Sequence, residues 1–444
     1  QLEGPFRRLP RRIGLRVPGL FAQRRQSFRR AVQPDGLHLL ELPLCLPHNA
    51  ARSLRGLRNL RLRASDGQRC LRQTLETGSG SSLRSVALCY EQGFSLTARA
   101  GAGYQFEGWY SDSGYTQRLS TSATYAFRPQ QTRTELYARF KSTATPLDGN
   151  GTANCYIAPN LRTFYSFDAT VQGNGRSTQN VTPKKLSGVE ARILWETGSV
   201  RNAVIRSAEY SDGRICFETG TVRGNAVIGL FDAAGTCIWS WHIWAVNYDP
   251  LSTARTYSTG AVFMDRNLGA ETTSAYDVKT KGLYYQWGRK DPFIYPASNK
   301  KTDNDEPAAV ISLEGCELKA YDYNTSGISP EDFYTIRWSI EHPTVMMVGN
   351  PNASSWQAPL NPNLWGNYTD GTNASTINRK TIYDPCPPGW RVPHTGAWDK
   401  TYFKKATYID DGGWYMYYST NGSATTFYPF SGYLDGSSNK FQYY

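Results

Sequence analysis

Apolar and polar positions alternate over most of the chain, and the alternation predicts strands. In Phe94-Ser95-Leu96-Thr97-Ala98 apolar residues fall at every second place, the period of a half-buried strand. Gly101, Gly103 and Gly108 punctuate the next, Tyr104-Gln105-Phe106-Glu107-Gly108-Trp109-Tyr110, and Leu136-Tyr137-Ala138-Arg139-Phe140 supplies another. Further on, Ala226-Val227-Ile228-Gly229-Leu230-Phe231 is an apolar run and Asp232-Ala233-Ala234-Gly235 a turn. The return is Cys237-Ile238-Trp239-Ser240-Trp241-His242-Ile243-Trp244, so a hairpin is predicted. Alternation puts Cys237, Trp239, Trp241 and Ile243 on one face of the return strand, and Ile238, Ser240, His242 and Trp244 on the other. Both sets are largely apolar, which predicts a central strand covered on both sides. Residues 414–430 predict a second hairpin that turns at Asn421-Gly422.

Helical signals are few. Ser329-Pro330-Glu331-Asp332 offers a capping hydroxyl, a proline fit for the first turn and acids at the positive end. Phe333, Ile336 and Ile340 share one face of that helix, and Pro343 ends it. A second helix is expected after Thr395, with Trp398 and Tyr402 on one face. The expected fold class is therefore mainly β, with an α+β C-terminal module.

Net charge at first suggests a nucleic-acid partner, and its distribution removes the suggestion. The formal charge is +12, but residues 1–80 hold 16 Arg, no Lys and 5 acidic residues, so the rest of the chain is nearly neutral. For this Arg-rich segment, residues 1–81, three readings stand: a basic arm for an acidic partner, a solvated disordered tail, or a reading-frame artefact ahead of a genuine domain. Residues 141–152, KSTATPLDGNGT, have the composition of a linker. No apolar run is long enough to span a bilayer. The chain opens on Gln1, so its true start is expected upstream.

Signals for chemistry are sparse. The 8 cysteines form no CxxC pair, which leaves zinc ribbons and thioredoxin-like chemistry unsupported. Cys216 and Cys237 lie in apolar strand patterns and read as core thiols. His242 reads as a core histidine, and His342 and His394 have no second ligand at metal spacing. Asp303-Asn304-Asp305-Glu306 concentrates oxygens without the spacing of a calcium loop. There is no nucleophile elbow and no phosphate-binding loop. No catalytic residue, metal or cofactor is assigned. What remains is aromatic surface: along Trp414-Tyr415-Met416-Tyr417-Tyr418, one alternating set must face outward if the other faces a core. Trp414, Tyr415, Tyr417 and Tyr418 are the candidate ligand-binding residues, because exposed rings stack on sugars and anchor interfaces.

Two resemblances add to this reading. GAGYQFEGWYSD, ATYAF and ELYARF resemble the Listeria–Bacteroides repeat, also called the internalin-type B repeat, a small β-grasp-like spacer of surface proteins. From about residue 153, Asn154-Cys155-Tyr156-Ile157, ILWE, GNAVIGLFD, WSWHIW, MDRNLGA, GLYYQWGRKDPF and TIYDPCPPGWRVP resemble Bacteroidales surface proteins of the fimbrillin-like or pilus-tip type. Their C-terminal module is similar to the Fibrobacter succinogenes major paralogous domain. That resemblance implies a C-type-lectin-like fold and export to the bacterial outer cell surface. It marks Trp239, Trp241, Trp244, Asn267, Trp287, Cys386 and Trp390 as structural motif residues. It also implies that the module continues past Tyr444, where a terminal Cys motif would hold the partner of Cys386. Cys386 is then expected as a free thiol presented from a rigid proline loop; pairing with Cys316 or Cys155 is the alternative.

The domain organisation expected is the Arg-rich segment 1–81, the repeat 82–141, a linker 142–152, a β-rich region 153–245 and an incomplete lectin-like module 246–444. The function expected is an extracellular, non-catalytic adhesin or pilus-tip-type binding protein. Its partners would be a glycan, a host or bacterial surface protein, or other pilus subunits, with no nucleic acid. A structural envelope component without a ligand of its own is the alternative, and an enzyme on a lectin-like fold a remote one.

Overall fold

The computed structural model describes residues 94–294 apart from short gaps, and from residue 310 a series of segments ending at residue 442. Ahead of residue 94 it describes only strands between residues 39 and 89. The chain is mainly β.

From Leu57 onward the first strands are β1 (Leu57–Ala64), β2 (Cys70–Thr77), β3 (Ala87–Cys89), β4 (Phe94–Arg99), β5 (Tyr104–Tyr110), β6 (Arg118–Ser120), β7 (Thr124–Phe127) and β8 (Arg133–Ser142). Six of them form one sheet in the order β3-β2-β1-β8-β5-β6, while β4 pairs with β7 in another. Trp109 is fully buried, and its indole nitrogen donates to the Ala123 carbonyl. The half-buried Phe106 packs against Trp109 and Phe140, with ring centroids 5.6 and 5.4 Å away. Part of the Arg-rich segment joins this sheet, since β1 pairs with β8 from Asn59↔Tyr137 to Arg63↔Arg133.

A two-sheet sandwich follows. One sheet has the order β9-β11-β14-β13, from β9 (Thr145–Pro146), β11 (Phe164–Asp168), β13 (Ile205–Ser211) and β14 (Arg214–Thr219). The other has the order β10-β16-β15-β12-β17, from β10 (Cys155–Ile157), β12 (Glu190–Thr197), β15 (Gly224–Phe231), β16 (Cys237–Ala245) and β17 (Val310–Ser312). Cross-strand pairs aim large side chains into the space between sheets: Tyr165↔Phe217 on the first, Leu230↔Trp239 and Ile228↔Trp241 on the second. Tyr156 stacks on Phe167 at 4.6 Å, and Phe167 meets Trp241 at 5.2 Å. Glu196 is buried beside this core, where its carboxylate accepts from the backbone N–H groups of Ala203, Val204 and Ile205.

The β15–β16 hairpin forms as expected, with Gly235 at φ 80° and the Asp232 carboxylate accepting from Ala234 and Thr236 N–H. Strand β16 is central and covered on both sides. One face assignment changes. The register shifts between Leu230 and Phe231, so Cys237 joins Leu194, Trp195, Val227 and Phe231 on the outer face, while Ile238 packs towards Trp239 and Trp241. A bulge adds one residue and turns every side chain beyond it to the opposite face.

Three further segments depart from the sequence-based expectations. The 142–152 stretch does not hang free: β9 pairs in parallel with β11, and Asp148 meets Arg214 at 2.9 Å. Strand β17 extends a sandwich sheet from beyond residue 245, through Trp195↔Ser312 and Thr197↔Val310. The single helix expected after Ser329 is two, α1 (Pro330–Phe333) and α2 (Ile336–Glu341). Ser329 caps the first as expected, but the Thr335 hydroxyl accepts from Trp338 N–H and starts the second, so the chain breaks at Tyr334-Thr335. The helix expected after Thr395 and the Asn421-Gly422 turn lie outside the described residues.

Candidate functional site

Strands β18 (Ala406–Ile409), β19 (Gly413–Tyr417) and β20 (Thr425–Pro429) form the antiparallel sheet that carries the candidate aromatic residues. Pairing sets Trp414 beside Tyr428, Tyr415 beside Phe427 and Tyr417 beside Thr425. Alternation therefore divides the four candidates: Trp414 and Tyr418 belong with Tyr428 and Thr426 on one face, Tyr415 and Tyr417 with Phe427 on the other. Neither face is simply outward. On the first, Tyr428 is buried, donates its hydroxyl hydrogen to the Met264 carbonyl and stands within hydrogen-bond reach of Tyr257. On the second, Phe427 is buried with Tyr415 at 5.4 Å.

Of the four, Trp414 is the one that opens to solvent, at 39% exposure, with Phe430 edge-on at 6.4 Å. Tyr433 is also exposed, at 47%. Tyr415, Tyr417 and Tyr418 are half-buried. The Arg255 guanidinium lies 4.8 Å from the centre of the Tyr418 ring and donates from Nε to Thr426. Tyr418 is thus held against the loop strand ahead of it, a role that the sequence alone did not reveal for Arg255.

The motif residues lie elsewhere: Trp239 and Trp241 between the sheets, and Trp244 beside a buried polar layer on the outer face of β16. Trp239, Trp241 and Trp244 are all buried. Trp239 donates from its indole nitrogen to Asn154 Oδ1 at 2.9 Å, and Trp244 to the Ala270 carbonyl at 3.1 Å. His242 Nε2 meets Asn225 Oδ1 at 2.9 Å, and Asn225 donates onward to the Gly269 carbonyl. Burial pulls the His242 imidazole down to about 3, so it is neutral at ordinary pH. Ser240 donates to Asp291 at 2.6 Å, and the Lys290 ammonium donates to both of them. Burial lowers Lys290 below its ordinary value although Asp291 opposes the shift. This serine, lysine and aspartate sit in hydrogen-bond contact, yet each is at most 3% exposed. Arg289 is buried as well and donates to the Ser339 and His342 carbonyls, where a cation suits the C-terminal end of α2.

The remaining motif residues hold loops. Asn267 donates to the Lys281 carbonyl and to Ser431. The Trp287 carbonyl accepts from Trp356 at 2.6 Å. In the Cys386–Trp390 loop, the Lys380 ammonium donates to Asp384 Oδ1 at 2.9 Å and to the carbonyls of Cys386 and Trp390 at 2.7 Å each. Asp384 in turn accepts from Cys386 and Val392 N–H. Cys386 is not presented outward as expected: it is 9% exposed, in a loop held by Lys380 and Asp384 and tied to the distant Asn154. Lys380 escaped the sequence reading, and Asp384, Asp291 and Asn225 stood inside the quoted motif blocks without a role assigned to them.

Among the described residues, no three His, Cys, Asp or Glu side chains are grouped to hold a metal ion. His342 stacks on Trp338 at 3.9 Å and bonds its carbonyl. The acidic run 303–306 and His394 lie outside the described residues. Among the described residues no helix is long and apolar enough to cross a membrane.

No curated protein matches the chain. Residues 74–144 match the divergent InlB B-repeat domain, a surface-associated type of repeat, and the match takes in β3 to β8 with the end of β2.

Proposed function

We propose that the chain is a surface-displayed, non-catalytic binding protein, an adhesin or pilus-tip-type subunit that acts outside the bacterial cell. The observation that carries this reading is the B-repeat at residues 74–144. The resemblance of residues 153–444 to fimbrillin-like and lectin-like surface modules supports it. Its contact surface is centred on Trp414, with Phe430, Tyr433 and the neighbouring tyrosines, and suits a glycan ring or an aromatic-rich protein patch. The test is binding of the purified chain to a glycan array and to surface-protein extracts, beside Trp414→Ala. Loss of binding by the variant at unchanged thermal stability supports the reading. Equal binding by both proteins moves the contact surface elsewhere, and no binding at all favours a structural envelope component. That second reading draws on the tie between Tyr418 and Arg255, which makes part of the aromatic set a packing element.

A further inference from the structure

We propose that Cys155 and Cys386 are the two halves of a disulfide that fastens the Asp384–Trp390 loop to strand β10. The backbone already brings them together. Asn154, directly before Cys155, donates its amide hydrogens to the carbonyls of Ile382 at 2.6 Å and Asp384 at 2.9 Å, on the approach to Cys386. Both cysteines are free thiols here, 0% and 9% exposed. They share surroundings: burial first, then Asp384, Lys380 and Cys155, sets the thiol chemistry of Cys386, and the half-buried Tyr285 feels both sulfurs. The other two described thiols stand apart, Cys216 beside Ser142 and Cys237 in the cluster of Leu194 and Phe231.

The step is an oxidation. Two thiols lose two protons and two electrons and form one S–S bond, while a disulfide donor, oxidised glutathione or the disulfide of an oxidoreductase, is reduced to two thiols. Burial raises both thiols and keeps them protonated, so exchange belongs to folding, before the loop closes over β10. Once made, the bond is shielded from reductant by the same burial. Pairing of the two cysteines does not depend on whether the aromatic hairpin binds a ligand.

The full chain is unfolded in reductant, refolded in a mixture of oxidised and reduced glutathione, alkylated, digested and mapped by mass. The expected result is a peptide pair joining Cys155 to Cys386, with Cys216 and Cys237 alkylated. The pair should persist when the folded protein is treated with mild reductant and vanish when it is treated in urea. Because the mapping uses the unmodified sequence, it does not depend on a cysteine variant folding. Recovery of Cys155 and Cys386 both alkylated, or of either linked to a different cysteine, overturns the proposal.

Discussion

His242 shows how burial turns one residue into a pH-dependent stabiliser. In the fold its imidazole takes a proton only near pH 3, against 6.5 for the free side chain. Between those values the unfolded chain binds the proton and the folded chain does not, so stability rises with pH across that window. The contribution of His242 is complete above pH 6.5 and is lost as pH falls towards 3. Well below 6.5 the loss approaches about 1.4 kcal/mol per pH unit. Denaturation midpoints of the wild type and His242→Gln from pH 4 to 7 check this: the variant should show a flatter slope whatever its absolute stability. A different cost attaches to Trp241, whose ring fills the space between sheets. Trp241→Ala should lose about 3–5 kcal/mol in chemical denaturation. A midpoint unchanged by that substitution would place the indole at the surface.

Elements here are held by polar residues as much as by apolar ones. The loop from Lys380 to Val392 has no regular structure, and one ammonium and one carboxylate organise it. Asp384 is fully buried. Lys380→Met should therefore cost about 3–5 kcal/mol, since it leaves a buried carboxylate without its cation. Lys380→Met combined with Asp384→Asn should recover part of that loss, and a double variant worse than the single would contradict the pairing. The helical segment makes a smaller point of the same kind. Thr335 accepts from Trp338 N–H and donates to the Asp332 carbonyl, so Thr335→Ala should cost about 1 kcal/mol. The apolar face of Phe333, Ile336 and Ile340 was legible without coordinates; the break at Thr335 was not, because a threonine reads alike as a helix residue and as a cap.

Across the whole molecule, repeat and sandwich are continuous. Tyr104 donates its hydroxyl hydrogen to Glu209, and the chain leaving β8 pairs at once as β9 along β11. The chain divides at Gln33, and β1 and β2 lie on the far side of that division, in one sheet with β8. Removal of residues 1–33 should leave the thermal unfolding transition of the rest in place. Removal of residues 1–81 should lower it, because β1 is withdrawn from β8. Calorimetry of the two truncations decides, and equal transitions would show that β1 and β2 contribute nothing to the repeat.

Period-two alternation, turn chemistry and the Gly- and Trp-containing blocks were enough, read along the sequence, to place β4, β5 and β8, the β15–β16 hairpin and its burial on both sides, though not β1 and β2 in the Arg-rich segment. Those features follow from local geometry: side chains alternate across a strand, and a turn needs particular residues. Tertiary structure alone decided the rest. The face of Cys237 depends on a bulge set by the partner strand, and the burial of Cys386 on contacts with residues distant in sequence. The tie between Arg255 and Tyr418 joins segments that share no local pattern. Which candidate aromatic stays open, Trp414 rather than Tyr415 or Tyr418, is likewise a property of what packs over each face, and a sequence records the ring without recording its cover.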